Sequence, residues 1–137
     1  PATSMTYEEY LQEQKTKKSR RPPRDEEHRL QCGCVSWFCL QYPAWRGLLF
    51  AVPNGGRRDG ITGKKLKDEG VVPGVSDLLL LYPSGYHSLC VEMKTPKGRQ
   101  SEVQKAWQRA VERAGYKYAL CRSLDDFITT IEKYLAL

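Results

Sequence analysis

Hydrophobic positions along the chain fall into blocks of two periods. From Asp25 to about Gln41, Leu30, Cys34, Trp37, Phe38 and Gln41 recur at helical spacing and predict an amphipathic helix, acidic in its first turn and stopped before Pro43. Leu48 to Val52 is a short apolar run, and Ser76 to Tyr82 and His87 to Lys94 read as two further strands, joined through Pro83-Ser84-Gly85-Tyr86 as a hairpin. Ser101 caps a helix to about Ala114, closed by Gly115, with Val103, Trp107, Ala110, Val111 and Ala114 expected on its inner face. Tyr116 to Cys121 reads as a strand. Ser123 and Asp126 then open a helix whose Leu124, Phe127, Ile128, Ile131 and Leu135 face inward.

The resulting order, α-β-β-β-α-β-α, predicts an α/β fold in which helices flank a mixed central β-sheet. Between Val52 and Gly74 the glycines and lysines predict a long loop. Ahead of the domain, residues 6 to 20 begin as a helix, because Thr6 and Glu9 have capping-box spacing and Tyr7, Tyr10, Leu11 and Gln14 share a face. The basic stretch from Lys15 to Arg24 ends in Pro22-Pro23 and reads as a linker, a flexible DNA-contacting arm or a solvated tail. The expected organisation is therefore an N-terminal arm, residues 1–24, and one compact domain, residues 25–137. Pro1 to Ser4 reads as a cloning remnant ahead of Met5.

Composition narrows the partners. A length of 137 residues suits one core, and the net charge of +6 favours a polyanion such as nucleic acid. No apolar stretch approaches a membrane span, so the expectation is a soluble, cytoplasmic protein without a membrane partner. The five cysteines, Cys32, Cys34, Cys39, Cys90 and Cys121, lie in apolar periodic segments without zinc-ligand spacing, and read as buried free thiols.

Candidate chemistry sits on the two central runs. Asp77 heads Leu78-Leu79-Leu80-Leu81-Tyr82, and the next run ends in Glu92-Met93-Lys94. Alternation along a strand puts Glu92 and Lys94 on one face. If the two runs pair, Asp77 joins them, giving two hard oxygen ligands suited to Mg²⁺ or Mn²⁺ with a lysine beside them. Around them lie groups that bind phosphate: Asn54-Gly55-Gly56-Arg57-Arg58, Lys64, Lys65 and Lys67, and Lys97-Gly98-Arg99 directly after the strand.

Glu27 with Gln31, Pro53-Asn54-Gly55-Gly56, Lys67-x-x-Gly70, Gly74-Val75-Ser76-Asp77, Glu92-Met93-Lys94, and Lys97-Gly98-Arg99-Gln100-Ser101 with Gln104 occur in the order of one family. From about Asp25 to Leu135 the chain resembles the VRR-NUC (virus-type replication-repair nuclease) domain, a branch of the PD-(D/E)XK nuclease superfamily. Ser76 departs from the proline common before the aspartate. The resemblance implies a divalent-metal-dependent endonuclease whose products carry a 5′ phosphate. Asp77, Glu92 and the Met93 carbonyl would hold Mg²⁺, with Glu27 as an extra ligand. Lys94 would act on the attacking water, and Gln104 would lie near the active site. Stand-alone domains of this kind resemble phage-encoded homodimers that cut branched DNA such as four-way junctions, with no small-molecule cofactor.

Each of these residues also has a plainer reading. Asp77 could cap a turn, Glu92 and Lys94 could form an exposed strand pair, Glu27 could serve the helix dipole, and Gln104 completes a capping box with Ser101. Arg57, Arg58, Lys64, Lys65 and Lys67 could be a solvated loop. Tyr42 and Trp45 are candidates for stacking on bases, Trp37 and Trp107 read as core, and His28 and His87 read as structural or surface residues. The rival functions are a nucleic-acid-binding module that has kept the fold without catalysis, and an accessory subunit of a repair complex.

Overall fold

The computed structural model describes residues 6–17, 25–53 and 60–137. The elements are helices α1 (Tyr7–Lys17), α2 (Glu26–Gln41), α3 (Gly60–Asp68), α4 (Glu102–Arg113) and α5 (Leu124–Leu135), and strands β1 (Leu49–Ala51), β2 (Leu78–Leu80), β3 (Leu89–Met93) and β4 (Lys117–Cys121). They build a mixed four-stranded sheet in the order β1-β2-β3-β4. β1 to β2 and β2 to β3 are antiparallel, whereas β3 to β4 is parallel and is bridged by α4, the crossover a parallel pair requires. This is the α/β architecture expected.

Alternation along β3 divides the interior into two layers. Leu89, Val91 and Met93 join Leu78, Leu80 and Cys121 in a buried cluster with Cys34, Trp37 and Phe38 of α2 and Phe127, Ile131 and Tyr134 of α5. On the other face, Glu92 meets α4 through Gln104 and Tyr118 meets it through Trp107. The layer under α2 and α5 is built of apolar side chains, and Asp77, Glu92 and Gln104 lie on the side of α4.

Helix ends follow the sequence closely. Thr6 and Glu9 make their reciprocal cap, as do Ser101 and Gln104, and the Ser123 hydroxyl accepts from the Asp126 N–H. After α4, Tyr116 N–H reaches Val111 C=O and Gly115 N–H reaches Glu112 C=O, with Gly115 at φ +96°. A glycine in the left-handed region closes the helix through two backbone bonds.

Three expectations need correction. The stretch between Val52 and Gly74 is not loop throughout: Gly60–Asp68 is helical. Lys64 pairs with Asp68 one turn on, Lys65 and Lys67 complement the carboxyl end of the helix dipole, and Gly70, at φ +103°, stops it with Val71 N–H on Leu66 C=O. The inner face assigned to α4 is only partly covered, since no residue of that helix is fully buried and Val103, Ala110 and Ala114 are exposed. Trp107 accordingly packs edge-on to Tyr118 while only half-buried. Tyr42 and Trp45 do not present free faces for bases: they stack on each other at 5.2 Å, and Trp45 lies 4.5 Å from Tyr82. All five cysteines are free thiols; Cys34, Cys90 and Cys121 are buried, and Cys32 and Cys39 are partly so.

Candidate active site

The β2–β3 register pairs Leu78 with Val91 and Leu79 with Cys90, so one step further places Asp77 across from Glu92. Residues directly opposite in an antiparallel pair share a face, and the two carboxyl groups are brought together where β2 begins and β3 ends. Asp77 Oδ2 accepts from Met93 N–H at 2.7 Å, while Asp77 C=O accepts from Val52 N–H. Asp77 is thus held on both sides by strand backbone.

Glu92 is 2% exposed. Its Oε1 accepts from Gln104 Nε2 at 3.1 Å and lies 3.9 Å from Lys94 Nζ. Its Oε2 is buried without a hydrogen-bond partner. Burial above all, then the charge and contact of Asp77, push the Glu92 carboxyl up to about 8, with Glu27 adding to the rise and Lys94 opposing it. Glu27, at the start of α2, is raised by burial and then by Asp77, and is lowered by Lys94. Four predicted residues, Glu27, Asp77, Glu92 and Lys94, therefore act on one another's charge, and Gln104 touches the set directly.

A buried carboxylate oxygen without a donor, facing a second carboxylate, is an expensive arrangement for a protein alone. A divalent cation would relieve both costs. Asp77 and Glu92 are hard oxygen donors suited to Mg²⁺ or Mn²⁺. The Met93 carbonyl opens toward the same strand edge as the Met93 N–H that reaches Asp77. Among the described residues no three His, Cys, Asp or Glu side chains gather at metal-binding spacing. The structure therefore assembles a carboxylate pair, and Glu27 acts on it through charge.

The basic candidates divide. Asn54, Arg57 and Arg58 lie outside the described residues. Lys64 is exposed on α3 and tied to Asp68 at 3.2 Å, and Lys65 and Lys67 are exposed on the same helix, Lys67 beside a cavity that reaches Asp77. Lys97 and Arg99 are exposed on the loop leaving β3. His28 and His87 are both exposed, and the His87 ring packs on Tyr116.

Two features escaped the sequence. Arg122, between β4 and α5, donates through Nη1 to the carbonyls of Thr95, Pro96 and Gly98 at 2.8, 3.3 and 2.6 Å, fixing the loop that carries Lys97. Gln100 Nε2 donates to Gln108 Oε1 and Tyr118 Oη, and Tyr118 is raised by burial and then by Glu92. Neither set of contacts has a periodic sequence signal, because each joins positions at least eight residues apart through a side-chain donor.

Residues 60–125 match the VRR-NUC domain family. That match spans α3 to the start of α5 and includes Asp77, Glu92, Lys94 and Gln104. A solved structure described as a VRR_NUC domain protein superposes with a TM-score of 0.71 at 22% identity, covering 81% of this chain and 88% of its own. That likeness shows the fold. No curated protein matches the sequence.

Proposed function

We propose, from the match of residues 60–125 to the VRR-NUC domain, a domain of a nuclease-type family, that the protein is a divalent-metal-dependent DNA endonuclease selective for branched DNA such as four-way junctions. The observation that carries the reading is the buried pair Asp77 and Glu92, with the unpartnered Oε2 of Glu92 and with Lys94 Nζ 3.9 Å from Oε1. A module that only binds DNA has no use for buried acids that repel phosphate.

Asp77, Glu92 and the Met93 carbonyl would hold Mg²⁺ or Mn²⁺, with Glu27 adding negative charge or a further ligand. When bound, the cation supplies charge stabilisation for the phosphodiester and lowers the pKa of an attacking water. Lys94 orients that water and takes part in its deprotonation. Gln104 fixes Glu92 through Oε1, leaving Oε2 for the ligand. Lys97 and Arg99 stand where the strand leaves the site and attract the flanking phosphates, as do the cationic side chains of α3. By resemblance to the superfamily the products carry a 5′ phosphate.

A homodimer suits the substrate, since two sites related by a two-fold axis match the symmetry of a four-way junction. A monomeric mass by analytical ultracentrifugation, with and without DNA, would remove that part of the reading.

The decisive assay incubates wild type and Lys94→Ala with a labelled four-way junction and a matched linear duplex in Mg²⁺, Mn²⁺ or EDTA. Metal-dependent cutting of the junction, lost in the variant, is the expected result. Binding without cutting under every condition would instead assign a non-catalytic nucleic-acid-binding module.

A further inference from the structure

A cavity of about 480 Å³ opens beside the carboxylate pair, between α3, the segment 71–75 and the first turn of α4. Asp77 and Gln104 form the wall it shares with the site, Lys67 stands at its rim, and Val72, Pro73 and Val103 supply apolar surface. Val72 and Val103 are about half exposed, at 48% and 49%, and together present apolar surface to the cavity. The cavity depends on a close approach. Gly74, at φ +84°, sits so near α4 that a Cβ there would lie 2.8 Å from the backbone and Cγ1 of Val103.

We propose that this cavity receives the base of one unpaired nucleotide adjoining the phosphodiester held at Asp77 and Glu92. The inference rests on the nuclease reading and deepens it. A phosphate at the carboxylate pair leaves its neighbouring sugar and base at the cavity mouth, because the two spaces share the Asp77 wall. The volume falls within the range of small-ligand pockets. The valine and proline surfaces offer apolar contact to the face of a base, and Lys67 offers a cation to the next phosphate. These contacts do not discriminate among bases, so the pocket reads the absence of pairing and not sequence. A base must leave its stack to enter, and that costs least where pairing and stacking are weakened, as beside a branch point where the helix is interrupted. The cavity thereby accounts for a preference for branched over continuous duplex DNA.

The probe is a junction carrying a single 2-aminopurine, placed in turn at each position flanking the cut, mixed with protein in Ca²⁺ to hold the complex uncut. Wild type should raise fluorescence by about threefold or more at one flanking position, as the base leaves its stack. Val72→Trp and Val103→Trp fill the cavity from exposed positions, and thermal melting checks that each folds. Both should abolish the positional signal and bring the junction-to-duplex cleavage ratio in Mg²⁺ down about tenfold. Equal fluorescence at all positions, or a signal unchanged in both filled variants, overturns the pocket while wild-type cutting leaves the nuclease reading intact. Failure to cut any DNA in Mg²⁺ or Mn²⁺ overturns the nuclease reading and this inference with it.

Discussion

Gln104 Nε2 donates to Glu92 Oε1 at 3.1 Å while Gln104 Oε1 accepts from Ser101 N–H at 2.9 Å, so one amide closes the start of α4 and holds a buried acid. Both halves of the amide are in use. Gln104→Ala should therefore cost about 1–3 kcal/mol, the penalty for leaving a buried acceptor unpaired, and should lower cleavage further by releasing Glu92. Urea denaturation and single-turnover cleavage separate the two effects. Unchanged stability would show that the amide caps nothing of consequence.

The raised Glu92 carboxyl gives a pH signature to the metal-free protein. Its folded value, about 8, lies above the ordinary glutamate range, so between the two values the folded state binds more protons than the unfolded. Stability must then fall as pH rises from about 4.5 to about 8. Thermal midpoints in EDTA should decline across that window, Mg²⁺ should restore them at the alkaline end, and Glu92→Gln should flatten the profile while abolishing cleavage. A midpoint that rises steadily across the window in EDTA would contradict the arrangement.

Arg122 should prove structural for the loop that leaves β3. Its Nη1 meets three carbonyls of residues 95–98, and the shorter lysine side chain does not bring its ammonium to the position of that outer nitrogen. Arg122→Lys and Arg122→Met should both cost about 1–3 kcal/mol. Both should also weaken DNA binding, measured by fluorescence anisotropy, while Mg²⁺-induced stabilisation persists. Equal loss of metal stabilisation would mean that the change reaches the carboxylates.

Gly74→Ala should destabilise by about 1–3 kcal/mol, because the position combines a left-handed φ with a Cβ contact of 2.8 Å to α4 backbone that cannot move aside. Chemical denaturation of the variant checks it. Gly70, whose φ is also positive but around which a Cβ would find open space, should cost less on the same substitution.

Period and punctuation in the sequence determined most of the architecture. Leu30, Cys34, Trp37 and Phe38 declared α2, Ser101 with Gln104 and Gly115 bounded α4, and the alternation through Glu92 and Lys94 put an acid and a cation on one face of β3, because these signals are local and repeat at the spacing of the backbone. Helix α3 is the exception: its glycines and lysines carry the composition of a loop, while the Lys64–Asp68 pair and the Gly70 stop make it a helix. The family resemblance supplied the expected roles of Asp77, Glu92 and Lys94, but not their environment. Tertiary structure alone decided that Glu92 is buried with an oxygen unpartnered, that Arg122 reaches back across 24 residues or more to hold the loop after β3, and that a cavity opens beside Asp77. Each depends on how strands pair and helices seat across the sheet, and contacts between distant segments leave no periodic trace in a single chain.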